Sequence, residues 1–251
     1  KSHFGLNLTF FFSLGQSGMG CCGSVADPNT YLVPHGNGSK TLVDGLAGLG
    51  PAQPFTVEPW MTSKKTTPPQ ILKMMDAQNK VVFSMSGRCH PREDTQLYAA
   101  EKLVAVLRTA QSKAPTSQAG WEQTSWLILG VEPRAQNQSA YANEGGQSLY
   151  LWGKLTRYPM TNKTKLFLVK DNGYMAEQEA FGVTVKIGLA PQKFEAWSGK
   201  GGAMVVTVKE KKYQVYVAEG ADVALLYACT IAHHKMMAEI PNSNNGGGGG
   251  P

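Results

Sequence analysis

No stretch of this chain stays apolar for the roughly 20 residues that a membrane-crossing helix requires, and its 251 residues carry none of the short motifs that mark common enzyme classes. There is no P-loop, no dinucleotide fingerprint, no calcium loop of alternating acids and no nucleophile elbow. An enzyme built from this chain would have to assemble its site from scattered residues. The expectation is a protein without catalytic activity, resident metal or cofactor. Helix-turn-helix, zinc-finger and RNA-binding signatures are missing too, and no block of Lys and Arg alternates with aromatic residues. Nucleic acid therefore ranks below lipid as a partner. Cysteine is scarce: of four, Cys21 and Cys22 are adjacent, while Cys89 and Cys229 are single. Adjacent cysteines rarely close a disulfide on each other, so the composition suits a reducing compartment.

The hydrophobic fraction of 42% is ordinary for a soluble domain. A formal charge of +6 is a mild excess that fits a partner carrying phosphates. The 28 Gly and 14 Pro crowd toward the ends, over residues 28–69 and 246–251. The folded part therefore lies nearer to residues 70–240.

Residue 1 is Lys, and residues 4–15 are apolar and aromatic, with Phe10, Phe11 and Phe12 in succession. One reading is a signal-peptide core, which makes the protein secreted. The triplets at Asn7, Asn37, Asn137 and Asn162 fit N-glycosylation on that reading. The other reading is untranslated sequence ahead of a true start at Met19. Met19-Gly20-Cys21-Cys22-Gly23-Ser24 then fits the N-myristoylation pattern, in which the acyl chain joins the freed α-amine of Gly20 and a side chain would obstruct the transferase. One myristoyl chain holds a membrane only marginally; Cys21 and Cys22 would supply the second signal as palmitoylation sites. The competing reading is a chance Gly-Cys-Cys-Gly turn. The favoured expectation is acylation at Gly20, Cys21 and Cys22 on the cytoplasmic side of a membrane. Residues 25–54 have the Pro, Gly, Asn and Ser content of a linker and are expected to tether a domain.

Residues 71–75, a turn at Asp76-Ala77-Gln78-Asn79, and residues 80–85 read as strand, turn and strand, with Val81, Phe83 and Met85 on one face. The same form returns at 95–98 with 103–108, and at 193–197 with 203–209. Further strands are expected at 126–131, 148–154, 165–170, 181–187 and 212–218. Residues 55–60 give an edge strand limited by Pro59, and residues 132–147 read as a long loop. So many strands with one helix do not suit a parallel sheet, which needs a helix between most strand pairs. A closed antiparallel barrel fits, and closure removes exposed strand edges.

The one helix is expected over residues 220–239. Val223, Leu225, Leu226, Tyr227, Cys229 and Ile231 occupy all sides of its wheel, which predicts burial all round. Asp222 in the first turn and Lys235 near the last complement the helix dipole, and Cys229 reads as a small buried thiol. His233 and His234 stand about 100° apart on a helix and do not converge on one metal; they read as a polar end where the helix leaves the barrel. Cys89 and His90 read as a connecting loop, and Asp76 and Asp171-Asn172-Gly173 as turn-formers.

The segment 213–232, Tyr-Gln-Val-Tyr-Val-Ala-Glu-Gly-Ala-Asp-Val-Ala-Leu-Leu-Tyr-Ala-Cys-Thr-Ile-Ala, resembles the closing strand and core helix of the tubby-like barrel superfamily. Its nearest branch is the LURP-one-related proteins, which share their fold with phospholipid scramblases. Residues 71–87, ending Val-Phe-Ser-Met-Ser-Gly, resemble the opening hairpin of that family, and residues 194–209 its late one. The resemblance implies a mainly β domain, a closed antiparallel barrel of twelve strands around a central hydrophobic C-terminal helix, without catalytic activity. The phosphoinositide motif of tubby proteins is not found here. Where scramblases place an acidic calcium segment, this chain continues Pro241-Asn-Ser-Asn-Asn and polyglycine.

Two basic groups complete the inventory. Lys209, Lys211 and Lys212 flank the turn before the last strand, and Lys154, Arg157, Lys163 and Lys165 surround another connection. Gathered at one barrel end, they would form a headgroup patch worth about 1 kcal/mol per charge near an anionic membrane; scattered, they are solvated surface. The organisation expected is a leader over 1–18, a lipidated tether over 19–54, the barrel over 55–240 and a Gly-rich tail over 241–251. The function expected is a non-enzymatic barrel at a cytoplasmic membrane face that binds anionic phospholipid or a protein partner. The alternatives are a scramblase-type lipid transporter and a secreted glycoprotein.

Overall fold

The computed structural model describes residues 26–35, 40–58, 71–86, 93–110, 125–157, 163–186, 193–209 and 212–238. A single-turn helix α1 (Pro28–Tyr31) precedes β1 (Phe55–Glu58), β2 (Ile71–Met75), β3 (Val81–Ser86), β4 (Thr95–Ala99), β5 (Lys102–Thr109) and β6 (Ser125–Gly130). There follow β7 (Ala142–Glu144), β8 (Gln147–Arg157), β9 (Lys163–Leu168), β10 (Phe181–Lys186), β11 (Lys193–Ser198), β12 (Gly201–Lys209), β13 (Lys212–Val217) and α2 (Val223–Ala238). Neighbours run β6-β5-β4-β3-β2-β1-β13-β12-β11-β10-β9-β8, and β6 pairs with β8 to close the ring. Strand β7 pairs with β8 alone, which leaves the twelve-stranded antiparallel barrel that the sequence led us to expect. Its first and last strands meet, with Phe55 opposite Val215, so the ring has no open edge.

Period-two alternation forms these strands. Along β2, Ile71 and Lys73 are exposed while Leu72 and Met74 are buried, which puts one face on the core and one on water. The turn after β2 is set by Asp76, whose Oδ1 accepts from the backbone N–H of Gln78 and of Lys80, with Asn79 in the left-handed region that Asn tolerates. Strand β6 is buried throughout, because a second apolar cluster of Val106, Leu127, Leu129 and Leu149 covers its outer side. Ala142 of β7 packs against that cluster. Residues 142–144, expected within a loop, therefore form a strand.

Helix α2 fills the barrel. Its residues from Val223 to Ala232 are all buried, and they pack on Phe55, Leu72, Phe83, Leu97, Ile128 and Leu166 from strands around the ring. Fully burying a large aliphatic or aromatic side chain stabilises by about 1.5–3 kcal/mol, so packing on every side holds this helix in place. It begins at Val223 and not at 220, because Asp222 is its N-cap and not a first-turn residue: Asp222 Oδ1 accepts from Leu225 N at 2.9 Å. Among the described residues no helix is long and apolar enough to cross a membrane.

The segment expected to be a tether is instead built onto the barrel over residues 26–35 and 40–54. Leu32 bridges to Gly202, Val33 N donates to Gly202 O, Gly48 N donates to Ala221 O, and Gly50 N donates to Val217 O. Leu42 is buried in the main core. Glycine makes this approach possible: a Cβ on Gly202 would lie 2.1 Å from the Tyr31 carbonyl oxygen, and one on Gly48 would lie 2.1 Å from that of Ala218. The composition of a linker here serves backbone-to-backbone contact.

Candidate functional site

Alternating strand direction places the C-terminal ends of β8, β10 and β12 beside the N-terminal ends of β9, β11 and β13 at one rim. Arg157 stands opposite Thr164, Lys186 opposite Lys193, and Lys209 opposite Lys212. The two basic groups of the sequence thus share one end of the barrel. Lys186 and Lys193 lie between them, and sequence reasoning missed them; counting every second hairpin as one rim would have found them. Leu155, Leu166, Phe194, Val206 and Val215 mark the inner face. By two-residue alternation, Lys154, Lys163, Lys165, Lys193, Lys209 and Lys212 stand on the outer face, and Arg157 on the inner. Among the described residues Lys165 pairs with Glu179 at 2.6 Å and Lys212 with Glu58 at 2.5 Å. Lys163 Nζ lies 5.6 Å from the centre of the Trp197 ring, within cation–π range. Lys211, with Gly20, Cys21, Cys22, Cys89 and His90, lies outside the described residues.

Inside the same end the barrel is polar. His233 is fully buried, and its Nδ1 hydrogen-bonds Thr164 Oγ1 at 2.6 Å. Burial, with the charges of Arg157 and His234 adding to it, lowers the imidazole to about 3, so His233 is neutral near pH 7. Lys235, also fully buried, donates from Nζ to the Glu93 carbonyl at 2.7 Å and lies 5.0 Å from the Trp126 ring centre. The histidine pair is therefore not a polar exit: the helix is still enclosed at that point. Burial lowers the Arg157 guanidinium. Its Nε, the hydroxyls of Thr95 and Thr109, Trp126 Nε1 and His233 Nε2 have no hydrogen-bond partner among the described residues. Cys229 matches its expected role, fully buried with its thiol pushed up by desolvation and secondarily by Asp222.

At the opposite end, where α2 begins, a cavity of about 330 Å³ opens. His35, Lys40, Arg134, Lys200 and Asp222 line it together with the apolar Leu168, Phe181 and Leu225. Asp222 Oδ2 accepts from Leu42 N at 2.6 Å, so the carboxylate caps the helix and latches the N-terminal segment at once. Burial raises it from 3.8 to about 6, against the pull of those N–H bonds and of Arg134. The His35 ring bonds the Val33 carbonyl and Ser198 Oγ, each at 2.7 Å, and stacks on Phe181 with centroids 5.8 Å apart. Arg134 donates from Nε to Val169 O at 2.9 Å and lies 5.6 Å from the Trp152 ring centre.

No family model and no curated protein matches this chain. One solved structure is similar in shape. It is an X-ray structure of an Arabidopsis thaliana protein, 11% identical, with a TM-score of 0.44, and the match covers 74% of this chain and 91% of that one. A likeness of that size assigns neither ligand nor activity. The cavity is a site that sequence reasoning missed, because residues 35, 134, 200 and 222 meet only through the folded barrel. Of the core-helix residues expected, Asp222, Leu225, Leu226 and Cys229 are all buried.

Proposed function

We propose that the protein is a non-enzymatic barrel of the LURP-one-related, tubby-like type that docks on anionic phospholipid at the cytoplasmic face of a membrane. The observation that carries this reading is the run of outward-facing lysines on β8, β9, β11, β12 and β13 at one rim. Each cation held near an anionic leaflet contributes about 1 kcal/mol. Glu179 and Glu58 offset part of that for Lys165 and Lys212, whereas Lys154, Lys193 and Lys209 have no ion pair among the described residues. Acylation at Gly20, Cys21 and Cys22 supplies the hydrophobic anchor in this reading, since a few surface charges give only weak, salt-sensitive attachment.

Vesicle flotation of the full chain made without acylation, so that the rim acts alone, tests it, with phosphatidylcholine vesicles against vesicles that also contain phosphatidylserine. The expected result is flotation on the anionic vesicles alone, lost in 0.5 M salt and in a K154Q/K193Q/K209Q variant. Equal flotation on neutral vesicles, or a variant that floats like the wild type, refutes the rim as the docking surface. In cells, Gly20→Ala should release the protein to the cytosol; unchanged location refutes the anchor.

A further inference from the structure

The cavity at the start of α2 lies at the other end of the barrel from the basic rim, and its chemistry is of another kind. Its volume, about 330 Å³, is at the small end of the roughly 300–1,000 Å³ that ligand pockets span. Its floor is apolar, from Leu168, Phe181 and Leu225. Its charge is unbalanced. Lys40 is matched by Glu132 at 2.9 Å, and Lys200 Nζ rests on the His35 carbonyl at 2.9 Å. Arg134 has no ion pair among the described residues, although burial already lowers its guanidinium. Among the described residues the guanidinium bonds through Nε alone, so the terminal nitrogens of the fork have no partner there. Asp222, the one acid on the lining, already accepts from the backbone of Leu225 and Leu42. The positive end of the α2 dipole adds to the excess.

A half-desolvated guanidinium that Asp222 and Asp171 reach only through space, with no carboxylate bonded to its fork, and set against apolar Leu168, Phe181 and Leu225, is matched by a planar or tetrahedral oxyanion that it can grip with two parallel hydrogen bonds. We propose that this cavity binds a small amphiphilic anion, with a carboxylate or phosphate head on Arg134 and a short apolar body against Phe181, Leu168 and Leu225. Lys200 and Lys40 stand on the lining as the second and third cations. The bound head would also sit near the Asp222 latch, so the ligand couples to how firmly residues 40–54 hold the barrel.

Isothermal titration calorimetry of the full chain decides it, with octanoate, octyl phosphate and inorganic phosphate as probes. The expected result is saturable 1:1 binding of at least one of the two amphiphiles, with inorganic phosphate at least tenfold weaker. R134Q should weaken the amphiphile at least tenfold at unchanged Tm, and F181A should weaken the amphiphile but not inorganic phosphate. Whether octanoate or octyl phosphate binds tighter identifies the head group. If R134Q lowers Tm, K200Q takes its place, with a loss of at least threefold expected. Absence of saturation by both amphiphiles overturns the site. Wild-type affinity in the charge variant overturns it as well. Equal binding of inorganic phosphate overturns the apolar part.

Discussion

Two buried titratable groups sit toward opposite ends of α2, and acid acts on them in opposite directions. Asp222 is raised from 3.8 to about 6 by burial, so between those values the folded chain holds a proton that the unfolded chain has released. Stability from this group therefore falls as pH rises from about 4 to about 6, and at about 1.4 kcal/mol per unit the swing is roughly 3 kcal/mol. His233 is lowered from 6.5 to about 3, by burial first and the charges of Arg157 and His234 after it. Below 6.5 its unfolded form takes up a proton and the folded form does not, so stability falls with acid, by roughly 5 kcal/mol over the whole interval. Between about pH 4 and 6 the slopes cancel in the wild type. Asp222→Asn should unmask the histidine: its stability should drop by roughly 3 kcal/mol from pH 6 to pH 4 relative to the wild type. His233→Gln, which keeps a partner for Thr164, should gain about as much over the same range. Urea unfolding followed by circular dichroism reads both, because a change of that size moves the midpoint by about 1 M or more. Other groups are shared by all three proteins and drop out of the differences. Parallel stability curves for wild type and Asp222→Asn would refute the reasoning.

Leu226 has no exposed surface, so Leu226→Ala should cost about 2–5 kcal/mol in chemical denaturation. Leu226→Asp should abolish cooperative unfolding, which makes lost lipid binding in that variant uninformative about any site. Gly202→Ala sets a methyl 2.1 Å from the Tyr31 carbonyl and should lift residues 26–35 from the barrel, seen as faster proteolysis there; unchanged cleavage counts against the contact. Arg108 pairs with Asp94 and Glu144, tying β7 to the rim of β4, and Arg108→Ala should speed amide exchange at residues 142–144 with little change in Tm.

Much of the barrel was legible because it is local. Hairpins such as β2 and β3 announce themselves by alternation and an Asp-led turn, and α2 by being apolar on every side. Residues 26–35 and 40–54 were not, because what folds them is the surface they land on: Gly202 and Gly48 admit a close backbone, and Leu42 enters the core with Leu32, Val43 and Leu46 packed beside it, at no regular spacing. Strand β7 was missed for a similar reason, its partner cluster being set by β5, β6 and β8. The rim was half legible. Its lysines stood out in the sequence, but not that Arg157 turns inward, since that depends on which parity of β8 faces the helix. The cavity left no local trace, because its three cations, Lys40, Arg134 and Lys200, come from three separate segments.

The pairing of the ring that spans most of the sequence joins β1 to β13, and the helix that fills the ring comes after both. Phe55 cannot meet Val215 until β13 has left the ribosome, and no strand has the whole of α2 to pack on until residue 238 has followed. Earlier hairpins can form, but with their apolar faces uncovered, so the growing chain depends on shielding until α2 has emerged. A product truncated before α2 would keep all its strands but leave their inner faces uncovered, a target for clearance with no share of the activity of the whole.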